Sequence, residues 1–418
     1  MMTQAFYTGL SGLKASSQAI DVIADNLANT STIGYRSYST EFSNMFESAI
    51  NTDSNISSVN SSVGMGTSVN AIVMDQSQGV FQLTPSGNDL AILGDGWFGI
   101  EGNNQTLYTR DGSFTFDANR DLVTQDGLFV LGTMGNNISD GVLTEQLFEI
   151  SLGDVGEQEK LSFPKEIYFP PVASTEANFS GNLSLDQDLS AVGVPIITSD
   201  GTVNNLRLEF TKSEVQVPPG VQWDVVATTQ TPDGSIIHDT QTGVVSFNEL
   251  GALTSNTLES IDNQGTAVSI NLGTEYEGMI SISAPNSLSS LADGLEDGEL
   301  LGYDINRNGE IIATFTNGRQ SNVGSIGIFH FQNDQGLNRI NGSKFMESAN
   351  SGKPIFFQDA DGNNINGTDL ATNQLEGSNV RMEVGLTDLI IMQRAYDSNS
   401  KSITTADQML QKALSMDA

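Results

Sequence analysis

Both ends of this 418-residue chain carry a heptad spacing, and the long stretch between them does not. Near the N-terminus Phe6, Leu10, Leu13, Ser17, Ile20, Ala24 and Leu27 advance in alternating steps of four and three. That is the a/d seam of helices packed side by side. Asn29, Thr30, Ser31, Thr32 and Gly34 then stop the helix. Near the C-terminus Met382, Leu389, Tyr396, Ile403 and Leu410 recur every seven residues. The companion position opens with Leu386 and closes with Leu414, but holds Gln393, Ser400 and Asp407 between them. Apart from Gly385 no Gly or Pro interrupts the span from Asn379 to Ala413, which predicts one long helix. Two seam-bearing helices at opposite ends of one chain pack most simply against each other, which makes the rest of the chain a set of nested insertions.

The seam predicts more than an internal helix pair. Tyr7, Ile23, Ile390, Ile391 and Met392 lie off it. Two helices cannot bury apolar residues all around themselves, so neighbouring copies have to cover the remainder. Gly9 and Gly12 weaken the first helix by about 1 kcal/mol each relative to Ala. In return, small residues let another backbone approach closely. The residues expected to carry assembly are therefore Phe6, Leu10, Leu13, Ile20, Leu27, Met382, Leu389, Tyr396, Ile403 and Leu410.

Between the helices the pattern changes to period two with frequent turns. Leu107–Val130 alternates aromatic or β-branched residues with polar ones and is punctuated by Asp-Gly and Asn-Arg pairs. Asn204–Glu209, Gln222–Ala227 and Ile311–Phe315 read alike. Thr52–Asn70, rich in Ser and Asn, predicts an irregular connector. Prolines at 164, 170 and 171, and the Pro285-containing stretch Ala284–Glu299, mark boundaries. The expected class is α+β. A helical coiled-coil domain comes from 1–30 and 376–418, and a connecting segment from 31–74. An inner β domain comes from 75–162 and 298–375, and an outer β domain from 163–297.

Charge narrows the partners. The net charge is −34, yet residues 1–40 balance and residues 376–418 sum to −2, so the body carries a net charge of −32. Near-neutral ends suit self-association, and an acidic body suits hydration. No basic footprint for nucleic acid exists, and the sign is wrong for an anionic leaflet. With no cysteine, thiolate chemistry and disulfides are excluded. No apolar run long enough for a transmembrane helix is present, and the first residues do not read as a cleaved signal. Neither membrane insertion nor a bound cofactor is expected.

Motifs that could carry chemistry each have a plainer reading. Gly94-Asp95-Gly96-Trp97-Phe98-Gly99 matches a dinucleotide fingerprint, but turn and strand residues follow where a helix should start. Asp304-Ile305-Asn306-Arg307-Asn308-Gly309 opens like an EF-hand loop, but its twelfth position is Phe315 instead of Glu. Asp359–Asn363 is a similar acidic turn, where weak Ca²⁺ binding stays open. His238 and His330 lack metal-ligand spacing, and no catalytic constellation stands out, so an enzyme is not expected.

The two ends also resemble a known family. FYTGLSGLKASSQAIDVIADNLANTSTIGYR is similar to the N-terminal signature of the flagellar rod and hook axial proteins. It has an LSGL element at Leu10–Leu13, an NLAN element at Asn26–Asn29, and an aromatic–basic pair at Tyr35 and Arg36 after Gly34. LEGSNVRMEVGLTDLIIMQRAYDSNSKSITTADQMLQKAL resembles the matching C-terminal end, with SNV at Ser378–Val380 and QRAY at Gln393–Tyr396. The segment Glu41–Phe46, the large central insertion and the run Ser199–Gly201 before NNLRLEFTK resemble the hook branch more than the shorter distal-rod branch. The tail Asn399–Leu414 fits either. The resemblance implies type III export without a cleaved signal, assembly beneath a cap into a flexible helical tube, and contact with rod and filament-junction proteins. A reading of another class, a secreted Ca²⁺-dependent β-rich binding protein, remains beside it.

Overall fold

The computed structural model describes residues 2–45, 47–49, 62–64, 66–102, 105–216 and 218–416. Helix α1 spans Met2–Ala28 and helix α2 spans Met382–Met416. They lie antiparallel: Gly9 faces Ile403, Gly12 faces Asn399, and Leu27 faces Gly385. With 1.5 Å of rise per residue, the 35 residues of α2 form a rod about 50 Å long.

After α1 the chain runs up a strand, Tyr38–Asn44, which pairs antiparallel with Thr67–Met74, and both strands touch α1. Of the connector expected to be irregular, Thr52–Ser61 lies outside the described residues. Thr67–Asn70, however, is regular strand. Alternation explains this: Thr67, Val69, Ala71 and Val73 turn one way along an extended backbone.

Among the described residues the β body holds two large cores, beside a smaller cluster of Met74, Trp97, Tyr108, Leu131, Phe329 and Phe345. One gathers Leu90, Phe98, Phe114, Leu122, Val130, Phe163, Phe169, Phe315, Ile326 and Leu370. The other gathers Phe179, Ile196, Leu208, Phe210, Trp223, Val245 and Met279. In the second, strand Val203–Lys212 turns Asn204, Leu206, Leu208 and Phe210 inward and leaves Arg207 and Glu209 more exposed, as period two requires. It pairs with Val221–Gln230 so that Leu208 opposes Ala227 and Phe210 opposes Val225.

The crossing between the cores differs from the expected boundary at 163. Phe163, Ile167 and Phe169 belong to the first core, and Tyr168–Phe169 pairs with Gly298–Glu299 in its sheet. Three prolines there signal a break in regular structure, not the end of a domain, because the large side chains beside them still find a core. The chain passes to the outer sheet between Phe169 and Glu176 and returns between Ala292 and Gly298. Val172 and Leu295 form a bridge between the two crossing segments. The Asp293 carboxylate accepts bonds from the Thr175 and Glu176 amides at 2.9 and 3.0 Å.

The motif-like glycines settle as turns. Gly94 and Gly96 have φ of +134° and +121° and join strand Leu90–Leu93 to strand Trp97–Gly102, so no helix N-terminus faces a pyrophosphate. Asn306 Oδ1 accepts the amides of Asn308 and Glu310, and Asp359 Oδ1 accepts those of Asp361 and Asn363. Those oxygens serve the turns. Among the described residues no helix is long and apolar enough to cross a membrane.

Candidate assembly site

The helix pair places the expected residues unequally. Leu389, Tyr396, Ile403 and Leu410 are half-buried along one face of α2. The companion stripe is Gly385, Met392, Asn399 and Ala406, one residue N-terminal to the expected Leu386, Gln393, Ser400 and Asp407. A seam needs shape as well as apolarity, and the small residues at 385 and 406 let α1 come close. Met382, expected in the seam, is 52 % exposed. It starts the helix, beyond the reach of α1's last turn.

On α1 the most buried positions are Gly9, Gly12, Ala15, Ser16 and Ala19. Leu10, Leu13, Ile20 and Leu27 are half-buried, and Phe6 is exposed at the open end of the pair. A Cβ on Gly12 would lie 2.6 Å from the Asn399 amide, and one on Gly9 would lie 2.9 Å from Ile403. The apolar spacing therefore locates the face to within one residue, while close approach by small residues decides its centre. Tyr7 (65 % exposed), Leu386, Ile390 (53 %) and Ile391 are left open to solvent. Ile23 and Met392, expected to lie off the seam, are half-buried beside the 38–44 strand and α2's first turns.

The signature elements at the two ends converge where the helices meet the body. Asn26 accepts the Tyr38 amide at 2.9 Å and donates to its carbonyl at 2.6 Å, closing the turn after α1. Gly34 has φ +66°, and its amide donates to the Glu376 carbonyl at 2.7 Å. A side chain there would strike the backbone of Arg110 and Asp111. Asn379, just before α2, accepts the Ser37 amide at 2.7 Å and donates to the carbonyls of Asp75 and Ser77 at 3.0 and 2.9 Å. Buried Glu376 pairs with Arg36 at 2.9 Å and Arg110 at 3.3 Å. On the flank, Arg339 pairs with Asp25 at 2.8 Å and lies over the Tyr35 and Tyr38 rings.

The electrostatics follow from that packing. The hydrogen bond from Arg339 holds the Asp25 carboxyl below its usual value. Burial pushes the Tyr35 phenol up to about 12 and the Arg110 guanidinium down to about 10. Sequence reasoning missed Arg110, Arg339 and Glu376 as functional residues. Glu376 sits beside the SNV element, but nothing in spacing links it to Arg110, 266 positions away.

Comparison with known proteins fits this arrangement. Three family models match: flagella basal body rod protein over 6–36, flagellar hook protein FlgE/F/G D1 domain over 91–205, and flagellar basal body rod FlgEFG protein C-terminal over 371–416. The chain is thus similar to the flagellar rod and hook protein family at both ends and over 91–205. Among its relatives is a flagellar hook protein FlgE of Borreliella burgdorferi, 27 % identical, with 98 % of this chain and 99 % of the relative aligned. Those of Salmonella typhimurium and Brucella suis are 26 % and 29 % identical, over 97 % and 96 % of this chain and 98 % and 96 % of theirs. The crystal structure of Helicobacter pylori flagellar hook protein FlgE2 shares the fold, with TM-score 0.51 and 18 % identity, over 71 % of this chain and all of that one. The first and last of these models cover Asn26, Gly34, Arg36, Glu376 and Asn379 of the joint, and the second covers Arg110.

Proposed function

We propose that this chain is the structural subunit of a bacterial flagellar hook, polymerising through its helix pair into a flexible tube that carries torque. The observation that carries the reading is the joining of hook-protein likeness over nearly the whole chain to a helix pair that leaves Tyr7, Leu386, Ile390 and Ile391 uncovered. Apolar burial contributes about 25 cal/mol per Å², so neighbouring helix pairs in a tube would gain what a single copy cannot. Contacts of this kind that do not close on themselves build an open helix.

The finer parts of the reading are an export route through the flagellar type III apparatus without a cleaved signal, assembly beneath a cap, and contact with rod and hook–filament junction proteins. The acidic body would keep the tube's exterior hydrated while subunits slide. The assembly residues proposed are Leu10, Leu13, Ile20, Leu27, Leu389, Tyr396, Ile403 and Leu410 for the seam, with Phe6 and Met382 in contacts between copies. No catalytic role is assigned.

Electron microscopy of the polymer tests the reading. Curved tubes are expected, and straight tubes would point to the distal-rod branch instead. Leu13→Asp or Leu389→Asp should abolish tubes while the β body stays folded. Tubes of normal form from either variant would count against the seam.

A further inference from the structure

One buried carboxylate ties together four segments that lie far apart in the chain. Glu376 Oε1 accepts from Arg36 Nη2 at 2.9 Å and from the Gly79 amide at 2.9 Å, and Oε2 accepts from Arg110 Nη1 at 3.3 Å. Its carbonyl accepts the Gly34 amide. Arg36 donates onward to the carbonyls of Gln76, at 3.3 Å, and Ser77. Arg110 lies over the Trp97 ring, 5.5 Å from its centre, in the field of Asp95 and Asp334. All three charged side chains are almost fully buried. The exit from α1, the return of the connector, the inner β domain and the entry to α2 therefore share one anion.

We propose that Glu376 is a positioning residue, acting through Arg36 and Arg110 to fix the direction in which the helix pair leaves the inner β domain. A buried ion cluster is a poor source of stability, since its desolvation cost rivals the attraction gained. What it supplies is direction: hydrogen bonds with fixed geometry from two guanidinium groups and the Gly79 amide onto two oxygens. Apolar packing alone would let the pair slide or tilt. For a hook subunit, a role that rests on the proposed function, a fixed exit angle transmits load from helices to body.

The cluster is asymmetric, and the asymmetry supplies the test. Glu376→Gln keeps the shape but leaves two buried cations facing each other. Arg110→Gln leaves a neutral Arg36–Glu376 pair. The full-length chain is followed by hydrogen exchange, by Trp97 emission in a Trp223→Phe background, and by tube yield. In E376Q, amides of Gly34, Gly79 and Gly377, the last of which donates to the Val80 carbonyl at 2.9 Å, should exchange at least tenfold faster, with Trp97 emission shifted, while residues 176–292 exchange as before. Tube yield should fall at least tenfold. R110Q, which keeps the Arg36–Glu376 pair but cuts the tie to the inner β domain, should show a smaller loss of both, and E376Q/R110Q, with one buried cation unpaired instead of two, should lose less than E376Q, which a purely steric role for Glu376 would not produce. Should E376Q not be recovered folded, Glu376→Asp, with one methylene fewer, should show intermediate exchange. Exchange within twofold of wild type in either variant would overturn the proposal. So would a double variant no better than E376Q, or a loosened joint that still builds tubes at wild-type yield. A wild-type chain that builds no tubes would defeat the hook reading, and the exchange series would still decide the joint.

Discussion

The helix pair and the outer β domain face the same demand, hiding apolar surface from water, and meet it differently. In the outer domain Trp223, Phe210, Leu208 and Leu206 are fully enclosed by strands of their own sheet. In the helix pair even Leu389 and Tyr396 are only half-covered, and Ile390 and Ile391 lie open. The sheet closes a core because successive hairpins return strands to each other's sides. Two helices meet along one line, and a line of contact covers less than half of each cylinder. The first region is complete in one copy. The second, on the proposed function, is completed by others.

Several substitutions would break or sharpen that contrast. The largest effect is expected from Trp223→Ala, which empties the centre of the outer core. A loss of about 3–5 kcal/mol is expected, read by chemical denaturation followed in the outer domain, with the α1–α2 contacts unaffected. If the helices melted with it, the two regions would not be independent. Gly12→Leu should cost about 1–3 kcal/mol by overpacking, since its Cβ alone would meet Asn399 at 2.6 Å. Helicity of the ends and tube yield would report it, with residues 176–292 unchanged.

A smaller effect is expected from pH in the inner domain. Burial holds His330 below its usual 6.5, while its Nε2 sits 2.7 Å from the Asn366 carbonyl. The unfolded chain therefore takes up a proton where the folded chain resists it. Stability from this group is full above pH 6.5 and falls as pH drops through the depressed folded value. Denaturation of wild type and His330→Gln between pH 7.5 and 5 should differ in slope, and equal slopes would remove His330 from the account. The smallest effect on a single copy is expected from Ile390→Ser, within about 0.5 kcal/mol, because the side chain is already exposed. Its tube yield should nonetheless fall clearly, and a drop in monomer stability with unchanged yield would reverse the argument.

Much of this was legible in residue order. Period two in Asn204–Glu209 and Gln222–Ala227 marks strands that the structure shows inside longer ones. The heptad Leu389, Tyr396, Ile403 and Leu410 marks the face of α2 that meets α1. The acidic turns at 304–309 and 359–363 read as turns because Asn and Asp oxygens bond amides two and four residues on. Less legible was the end of a domain at Phe163–Val172, since prolines report local backbone and not which core their neighbours enter.

The sequence by itself determined the division into seam-bearing ends and an alternating body, because periodicity is a property of neighbours along the chain. Only the tertiary structure decided the one-residue shift of the seam to Gly385, Met392, Asn399 and Ala406, and the meeting of Arg36, Arg110 and Glu376. The physical reason is the same for both. Close approach and ion pairing depend on what lies across a gap in space, and a residue's partner there is set by how distant segments pack.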